Sequence, residues 1–400
     1  MTGEIRKVGV VGLGVMGFDI AFLYAMKGFP TVVYDASRAA MDALSGRSEQ
    51  TIDRLAKRDR INNAEAENVR KCLVPSTDLG GLAHADLITE AISENLKAKT
   101  SVYRSLRVAG FSGILTTNTS SVKRATLLAA GDYDRGKFAL THFFNPVLHT
   151  QMVEVVKGDM SDANTVMSFL KTIGRRPVET QDISGFVSNG ILMVFAVMAL
   201  RLLECGARIE QVDQAAKELK VLPPLFSFDS WKPSIVEDVT RVMFELRGDQ
   251  FLRSSQLLRR LAKDSPSFYV DRSSNPKIYD FADAHGRSLD GESVKRALWT
   301  SMIIAAARVA ELGESPTIVD YVATEGIKMP RPPLKEIDGL GVESILGELE
   351  RTNGTLGDQP LTAPKLLATM AKENQNFYVN GQPNPWLSAQ AAQPTTHASH

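Results

Sequence analysis

A glycine-rich turn near the N-terminus constrains the fold more than any other feature of this sequence. Residues 7–11 are an apolar run that predicts a strand, and residues 18–27 have the apolar spacing of a helix. Between them Gly12 permits a tight turn, Gly14 lets a pyrophosphate approach the backbone, and Gly17 lets the helix pack closely on the strand. The predicted dinucleotide site comprises Gly12, Leu13, Gly14, Val15, Met16 and Gly17. The alternative is a glycine turn without a ligand.

The residue after the second predicted strand indicates which dinucleotide binds. This strand, residues 31–34, ends at Asp35. A carboxylate there can accept hydrogen bonds from both hydroxyls of an adenosine ribose and would repel a 2′-phosphate. The sequence therefore predicts NAD as the cofactor, while the nearby Arg38 keeps NADP open as an alternative.

A long polar helical stretch, residues 37–70, follows this strand. It carries the basic side chains Arg54, Lys57, Arg58 and Arg60. Such a run of charges is by default a solvated helix face. Its functional alternative is a clamp for the phosphorylated tail of a substrate.

Small polar residues stand at the end of a later predicted strand. Residues 85–90 predict one strand, and residues 114–116 predict another that runs into the sequence TNTSS at 117–121. The carboxyl ends of parallel strands form the edge at which ligands bind in an open α/β sheet. Hydroxyls there can bond a substrate oxygen, and a helix cap is the alternative role for any one of them.

His142 and Glu154 have the chemistry of a proton-abstracting pair. His142 lies in the strand-like run 138–144, and Glu154 lies in a second extended segment, residues 152–156. Asn145–Pro146 breaks the first run, so the chain can turn and bring the carboxylate back beside the ring. A carboxylate bound to one ring nitrogen leaves the other nitrogen as a base for an alcohol proton. The alternative is a half-buried histidine with an unrelated glutamate nearby.

Taken in order, these motifs resemble the L-3-hydroxyacyl-CoA dehydrogenases of fatty-acid oxidation. The matching segments are GLGVMG, Asp35, EAISENLKAK, TNTSS, HFFNP with Glu154, and GFVSN ending at Asn189. The resemblance implies a Rossmann-type, doubly wound parallel α/β sheet followed by an all-α C-terminal region. It also implies an NAD-dependent oxidoreductase of lipid metabolism, active in β-oxidation, that interconverts a 3-hydroxyacyl-CoA and the 3-ketoacyl-CoA.

The resemblance assigns catalytic roles to four residues. His142 corresponds to the general base and Glu154 to the residue that orients it. Ser120 and Asn189 correspond to the residues that hold the reacting oxygen of the substrate. All four residue types are present together, which argues against a non-catalytic NAD-binding scaffold.

The resemblance also assigns ligand contacts. Glu94, Lys99 and Asn145 correspond to residues around the nicotinamide half of NAD. Thr51 and Arg58 correspond to the contacts of coenzyme A beside the inserted helices, which favours the clamp interpretation of the basic stretch.

Composition limits the partners and the compartment. Lys+Arg and Asp+Glu are both 46, so no net charge attracts the chain to nucleic acid. Cys72 and Cys205 have no metal-ligand spacing and fit a reducing compartment. The longest apolar run, residues 191–200, is too short to span a membrane, and we find no signal peptide. We expect a cytoplasmic enzyme with a small acyl-CoA substrate, no metal, no nucleic acid and no membrane span.

Beyond residue 183 the sequence is mostly helical and contains a repeat. At an offset of 107, Glu204, Gly206, Val212, Asp213 and Pro223 recur as Glu311, Gly313, Val319, Asp320 and Pro330. Each set follows a long apolar helix, at residues 191–203 and 297–310, and this predicts an internal duplication, with chance similarity as the alternative. The predicted domains are 1–183 (NAD-binding, with an inserted helical pair), 184–285 and 286–386 (both helical), and a disordered tail at 387–400.

The tandem helical domains resemble those of the multifunctional fatty-acid oxidation enzymes, without a hydratase domain. Single-domain family members bury the face of this domain against a second subunit. The chain is therefore expected to be a homodimer, or a monomer whose two helical domains pair within the chain. The second copy lacks a counterpart of Asn189, so its expected role is structural.

Three segments near the expected substrate depart from the family pattern. Asn189 is followed by Gly190, where the family usually has arginine. Residues 221–226 replace a Gly-Pro turn, and residues 271–276 replace a basic, glycine-rich loop. These changes leave open an unusual acyl chain, a carrier-protein thioester, or a hydroxylated ring acid without coenzyme A as the substrate.

Overall fold

The computed structural model describes residues 4–161, 163–282, 288–357 and 360–391. The chain divides into two compact units, Met1–Asp182 and Ile183–His400. The first unit is built around a β-sheet, and the second is mainly helical. No helix among the described residues is long and apolar enough to cross a membrane.

One sheet forms the centre of the first unit. Its strands are β1 (Val8–Val11), β2 (Thr31–Tyr34), β3 (Leu73–Pro75), β4 (Leu87–Glu90), β5 (Ile114–Thr117), β6 (Phe138–Phe143), β7 (Met152–Val156) and β8 (Arg176–Glu179). Their order is β3-β2-β1-β4-β5-β6-β7-β8. All neighbours pair parallel except β6 and β7, which are antiparallel. The prediction of a doubly wound, mostly parallel sheet is confirmed, and β3 and β8 extend it at the two edges.

Helices cover this sheet. They are α1 (Val15–Met26), α2 (Arg38–Asp42), α3 (Leu44–Ala56), α4 (Asn63–Cys72), α5 (Leu96–Val108), α6 (Arg124–Gly131) and α7 (Ala163–Thr172). β1 is buried at all four positions because it lies inside the sheet with helices over its faces. The polar stretch at 37–70 forms three helices, α2, α3 and α4. Ser37 caps the start of α2, and Asn62 starts α4 with a capping box.

Two similar series of elements make up the helical unit. The first contains α8 (Ser188–Glu204), α9 (Ile209–Glu218), α10 (Pro224–Trp231), α11 (Pro233–Arg247), α12 (Gln256–Asp264), β9 (Tyr269–Val270), β10 (Ser273–Ser274) and α13 (Lys277–Ala282). The second contains α14 (Gly291–Glu311), α15 (Pro316–Tyr321), α16 (Pro333–Leu340), α17 (Val342–Leu356), α18 (Lys365–Glu373), β11 (Tyr378–Val379), β12 (Gln382–Pro383) and α19 (Pro385–Ala391). The long apolar helices α8 and α14 pack against each other.

The same carboxylate hydrogen bonds occur in both series. The equivalent pairs are Asp213–Leu225 and Asp320–Leu334, Asp213–Tyr269 and Asp320–Tyr378, Asp229–Phe268 and Asp338–Phe377, and Asp229–Tyr269 and Asp338–Tyr378. In each pair the aspartate accepts from a backbone N–H or a tyrosine hydroxyl. Bonds that recur between equivalent residues support an internal duplication.

The offset between the two series changes along the chain. It is 107 at the first aspartates (320 − 213) and 109 at the residues that they bind (334 − 225). The second series therefore has two more residues between these positions than the first. A π-helical turn, Val322–Gly326, lies in this interval, before α16. The N-caps of α10 and α16 are Pro223 and Pro332, so the predicted match of Pro223 with Pro330 is wrong.

Two predicted boundaries fall at or beyond the described residues. The division between the helical domains at 285 and 286 lies within 283–287, outside the described residues, and stays a prediction. The predicted disordered tail begins at 387, but α19 continues to Ala391. Residues 392–400 of that tail also lie outside the described residues.

Candidate active site

The glycine turn between β1 and α1 has the geometry of a phosphate cradle. Gly12 has a φ of +96°, and a Cβ there would lie 2.7 Å from the carbonyl oxygen of Ala91. A Cβ at Gly17 would overlap the carbonyl oxygen of Gly12, so this helix can approach the strand only with glycine. Nothing lies within 4 Å of a Cβ built at Gly14. The open position beside the first N–H groups of α1 therefore fits an incoming pyrophosphate.

Asp35 is held against this turn. Its Oδ2 accepts a hydrogen bond from the N–H of Leu13 at 2.6 Å, and its Oδ1 accepts one from the N–H of Ser37 at 2.7 Å. These bonds fix the carboxylate at the carboxyl end of β2, where an adenosine ribose would lie. Arg38 forms an exposed ion pair with Asp42 at 2.9 Å. The local charges therefore favour an unphosphorylated ribose.

Arg47 on α3 also contacts the turn, and the sequence patterns did not indicate it. Its guanidinium donates to the carbonyl oxygen of Leu13 at 2.7 Å and lies 4.0 Å from the ring centroid of Phe18. A basic residue in a polar helical stretch carries no local signal for such a contact. Arg47 links the inserted helices to the dinucleotide turn.

A buried ionic network lies below the carboxyl ends of β4 and β5. Lys99 Nζ is 2.8 Å from Glu90 Oε1 and 3.6 Å from Glu94 Oε2. Burial disfavours the charge on Lys99, but Glu90 and Glu94 outweigh this and raise its pKa. Burial also opposes the charge on Glu94, whose pKa is nevertheless lowered by Lys99 and by hydrogen bonds. Both groups are therefore charged at neutral pH.

Glu94 organises the TNTSS loop after β5. Its Oε1 accepts hydrogen bonds from the hydroxyls of Thr119 and Ser121 and from the N–H groups of Ser120 and Ser121, at 2.6 to 2.9 Å. Asn118, in the same loop, accepts a hydrogen bond from the N–H of Phe143 at 2.9 Å. The loop that carries Ser120 is thus tied both to Glu94 and to β6.

The structure brings His142 and Glu154 together as the sequence predicts. They are directly opposed residues of β6 and β7, and Nδ1 of His142 lies 3.0 Å from Oε2 of Glu154. Glu154 is fully buried, and His142 is 7% exposed. A carboxylate can only accept, so Nδ1 carries the hydrogen and Nε2 keeps a lone pair for a proton. Asn145, after the strand, is exposed and is followed by a cis peptide bond to Pro146.

Comparison with known proteins identifies the family. The model of the 3-hydroxyacyl-CoA dehydrogenase NAD binding domain matches residues 7–183, and the model of the C-terminal domain matches residues 185–267. The chain belongs to the 3-hydroxyacyl-CoA dehydrogenase family. It is therefore an oxidoreductase, and NAD is its cofactor.

Individual members of the 3-hydroxyacyl-CoA dehydrogenase family share sequence and fold with this chain. Mitochondrial hydroxyacyl-coenzyme A dehydrogenase of Mus musculus is 36% identical over 224 residues, covering 53% of this chain and 71% of that protein. Probable 3-hydroxybutyryl-CoA dehydrogenase of Deinococcus radiodurans is 33% identical over 264 residues, covering 64% of this chain and 94% of that protein. The crystal structure of 3-hydroxybutyryl-CoA dehydrogenase from Escherichia coli K12 has a TM-score of 0.75 at 22% identity, covering 93% and 99% of the two chains, and so shares the fold.

The residues that the 3-hydroxyacyl-CoA dehydrogenase resemblance links to coenzyme A lie on or after α3. Arg58 is exposed, whereas Thr51 is buried on the inner face of α3. Arg60 contacts the Nδ1 of His149, a residue of the segment between β6 and β7. His149 is exposed, and partial desolvation of its ring lowers its pKa; the positive charges of Arg60, Arg54 and Arg58 lower this pKa further. Three basic side chains therefore lie close to this segment.

The departure from the 3-hydroxyacyl-CoA dehydrogenase pattern at Gly190 has a packing cause. Asn189 and Gly190 lie in the first turn of α8. A Cβ at position 190 would lie 2.7 Å from Cγ2 of Val309 on α14 and 3.3 Å from Nη2 of Arg247. Burial lowers the pKa of Arg247 to about 10, and its Nη2 donates to the carbonyl oxygen of Phe186 at 3.4 Å. A guanidinium from α11 therefore occupies space beside the glycine.

Proposed function

We propose that this enzyme catalyses the reversible, NAD-dependent oxidation of an L-3-hydroxyacyl-CoA to the 3-ketoacyl-CoA. The observation that supports this most directly is the pair formed by His142 and Glu154. A buried carboxylate fixes the ring through Nδ1 and makes Nε2 the proton acceptor. The pair stands at the end of β6, next in the sheet to the end of β5, where the TNTSS loop begins.

His142 moves the proton of the reaction. Its Nε2 takes the hydroxyl proton of the substrate, and Glu154 stabilises the imidazolium that forms. In the opposite direction the imidazolium returns the proton to the substrate oxygen. NAD, when bound, would supply the acceptor for the hydride that leaves the carbon bearing the hydroxyl group. Positioned acid–base catalysis of this kind contributes ~10²–10⁴-fold to the rate.

Other residues position the two ligands. The hydroxyl of Ser120 and the amide of Asn189 hold the reacting oxygen in this proposal. Glu94 and Asn145 border the nicotinamide half of the cofactor. The fully buried Lys99 supports Glu94 from below through its ion pair with that carboxylate. The hydrogen bonds from the TNTSS loop to Glu94 support this arrangement. They join the loop that carries Ser120 to Glu94, the residue beside the nicotinamide, as one rigid group.

The basic cluster of Arg54, Arg58 and Arg60 holds the phosphorylated tail of coenzyme A in this proposal. Within the described part of the chain, none of the three forms an ion pair with a carboxylate. The acidic groups of the neighbouring helices, Glu49 and Glu67, bind Arg70 and Lys71 instead. Arginines that form no ion pair are suited to phosphate, which they bind through charge-assisted hydrogen bonds.

The proposal is tested by NADH oxidation with acetoacetyl-CoA, beside the N-acetylcysteamine thioester of the same acyl group. We expect fast turnover with the CoA thioester and an increased KM for it in Arg58→Ala. Arg104→Ala, which removes an exposed arginine of α5, is the matched control. If NADH binds but neither thioester reacts, the substrate is another alcohol, and carrier-protein thioesters and hydroxylated ring acids are tested next. If NADH does not bind, the proposal is wrong.

We propose further that the enzyme acts in the cytoplasm, as a homodimer or as a monomer whose two helical halves pair within the chain. The packing of α8 against α14 supports the monomer, because each long apolar helix already covers the other. Light scattering coupled to gel filtration distinguishes the two states.

A further inference from the structure

The segment that leads into α8 is bounded by two glycines, and side chains of α11 contact both of them. Gly185 has a φ of +79°, and a Cβ there would lie 2.6 Å from Sδ of Met243. At the other end, a Cβ at Gly190 would lie 3.3 Å from Nη2 of Arg247. Met243 and Arg247 are one helical turn apart and so lie on the same face of α11. This face therefore packs against both ends of the segment that carries Asn189.

The backbone of this segment is strained and is held by hydrogen bonds. Phe186 has a φ of +55°, which is unfavourable for a residue with a side chain. The N–H of Gly190 donates to the carbonyl oxygen of Gly185 at 2.9 Å, and Nη2 of Arg247 donates to the carbonyl oxygen of Phe186 at 3.4 Å. Such a conformation persists only where its surroundings hold it. Arg247 is one of the groups that hold it.

The guanidinium of Arg247 lies where a cation is unfavourable. It is beside the first turn of α8, which contains no acidic residue and carries the partial positive charge of a helix N-terminus. Desolvation lowers the pKa of Arg247 to about 10, so the group stays charged at neutral pH. Asp249 attracts this charge and Arg308 repels it, but these two residues pair with each other at 3.2 Å. The three groups together leave one positive charge near this turn.

The second helical series has an aliphatic residue in place of this guanidinium. Helices α11 and α17 are equivalent at the offset of 109 (342 − 233), so Arg247 corresponds to Leu356, which is buried. Helices α8 and α14 are equivalent at the offset of 107 (311 − 204), so Gly190 corresponds to the buried Ala297. Leucine and alanine are therefore sufficient for the packing of this structural element. The arginine and the glycine occur in the series that carries Asn189.

The proposed reaction develops negative charge on the oxygen that Asn189 holds. The O–H proton moves to Nε2 of His142, a hydride leaves the same carbon for bound NAD, and the C–O bond becomes a carbonyl. Between the hydroxyl and the carbonyl, this oxygen has the character of an alkoxide. Preorganised positive charge stabilises such an oxygen. A cation that is unfavourable in the free protein is therefore favourable in the transition state.

We propose, on the basis of the function proposed above for Asn189, that Arg247 is a positioning residue of this reaction. It holds the segment that carries Asn189 and adds positive charge beside the oxygen that this amide binds. The transition state has more negative charge on that oxygen than the bound substrate has. Loss of the guanidinium charge therefore lowers kcat more than it raises KM.

NADH oxidation with acetoacetyl-CoA by three variants of Arg247 tests the proposal. Arg247→Leu introduces the residue of the second series, and Arg247→Gln keeps a donor for the carbonyl of Phe186 without the charge. We expect both to lower kcat by about 10- to 100-fold, with less than about a threefold change in KM, because a preorganised charge is lost. Arg247→Lys should retain most of kcat. Arg241→Leu, at a half-exposed arginine of the same helix, is the control.

Enolate formation by bound acetoacetyl-CoA measures the charge separately from turnover. With NAD in place of NADH no hydride can be transferred, and the carbon between the two carbonyl groups loses a proton to solvent to give an enolate that absorbs in the near ultraviolet. The pH at which half of the bound ligand is enolate should be higher in Arg247→Gln than in the wild type, and near the wild-type value in Arg247→Lys. A purely structural role of Arg247 would leave this pH unchanged in a folded variant.

Urea unfolding identifies any variant of Arg247 that does not fold, and the remaining neutral variant then carries the comparison with Arg247→Lys. Unchanged kcat in the neutral variants, a loss confined to KM, or an equal loss of kcat in Arg247→Lys would each overturn the proposal for Arg247. The proposed function would stand in all three cases, because the wild type turns over acetoacetyl-CoA. No turnover by the wild type would overturn both.

Discussion

The ammonium group of Lys99 lies 2.8 Å from a carboxylate oxygen of Glu90, and both side chains are fully buried. Tyr103 and Thr117 donate hydrogen bonds to the other oxygen of Glu90 at 2.8 and 2.7 Å. Lys99 also approaches Glu94, which holds the loop that carries the proposed substrate contact Ser120. The buried ion pair therefore supports the floor of the proposed active site.

We expect Glu90→Gln to lower the free energy of unfolding by about 3–5 kcal/mol, because removal of one partner leaves a buried charge without its counter-charge. Urea unfolding measures the change. Lys97→Met removes an exposed lysine two positions earlier on the same helix, so it should change stability by less than about 0.5 kcal/mol. Equal stability of Glu90→Gln and the wild type would show that the charge on Lys99 does not depend on Glu90.

Asp35→Ala should weaken NADH binding by about 10- to 100-fold, since hydrogen bonds from the ribose to a charged acceptor are lost. NADPH binding should change less, because the repulsion of its 2′-phosphate is lost at the same time. Fluorescence titration with both dinucleotides measures the two constants. Asp42→Ala removes an exposed carboxylate near the same strand end and serves as the control. An unchanged NADH affinity in Asp35→Ala would remove this carboxylate from the ribose site.

The lowered pKa of His149 predicts a loss of stability in acid. In the unfolded chain this ring has its ordinary pKa of 6.5, whereas partial desolvation and the nearby arginines lower the pKa in the folded chain. As the pH decreases through 6.5, the unfolded chain therefore binds more protons than the folded chain. The free energy of unfolding decreases with decreasing pH until the ring is protonated in the folded chain as well.

His149→Gln should reduce this fall between pH 7.5 and pH 5.5, which denaturant unfolding at a series of pH values measures. The exposed His84, changed to glutamine, is the matched control and should leave the slope unaltered. The same slope in His149→Gln and the wild type would show that His149 does not titrate in this window.

Gly190→Arg should destabilise the enzyme by about 1–3 kcal/mol, because the new side chain overlaps Val309 and meets the guanidinium of Arg247. Gly354→Arg, on α17 with no atom within 4 Å of a Cβ, should be nearly neutral. Thermal unfolding compares the two. The double variant Gly190→Arg with Arg247→Ala should recover part of the loss, and its failure to do so would contradict the packing explanation.

The sequence was sufficient to predict the sheet and the relation between His142 and Glu154. The turn around Gly12 and Gly17 depends on residues that are neighbours in the sequence. The break at Asn145–Pro146 places the strands of His142 and Glu154 side by side, and only a few pairing registers are then available. These are local relations. The structure confirms the sheet and opposes the two residues in β6 and β7.

Contacts between distant segments could not be predicted in this way. Nothing local to Arg47 or Arg247 indicates that one contacts the glycine turn and the other lies beside Gly190. Glu90 ends a predicted strand, but its ion pair with Lys99 depends on how α5 packs under that strand. The match of Pro223 with Pro330 was wrong because the offset between the two series changes from 107 to 109 across the π-helical turn. A comparison of the sequence with itself at one fixed offset does not detect this change.

The central claim is that His142 is the base that takes the hydroxyl proton. The most direct measurement is kcat for NADH oxidation with acetoacetyl-CoA, compared between the wild type, His142→Ala and the control His84→Ala, together with the Kd for NADH. We predict that His142→Ala lowers kcat by ~10²–10⁴-fold while the Kd for NADH stays near the wild-type value. A His142→Ala enzyme with near-normal kcat would contradict this assignment.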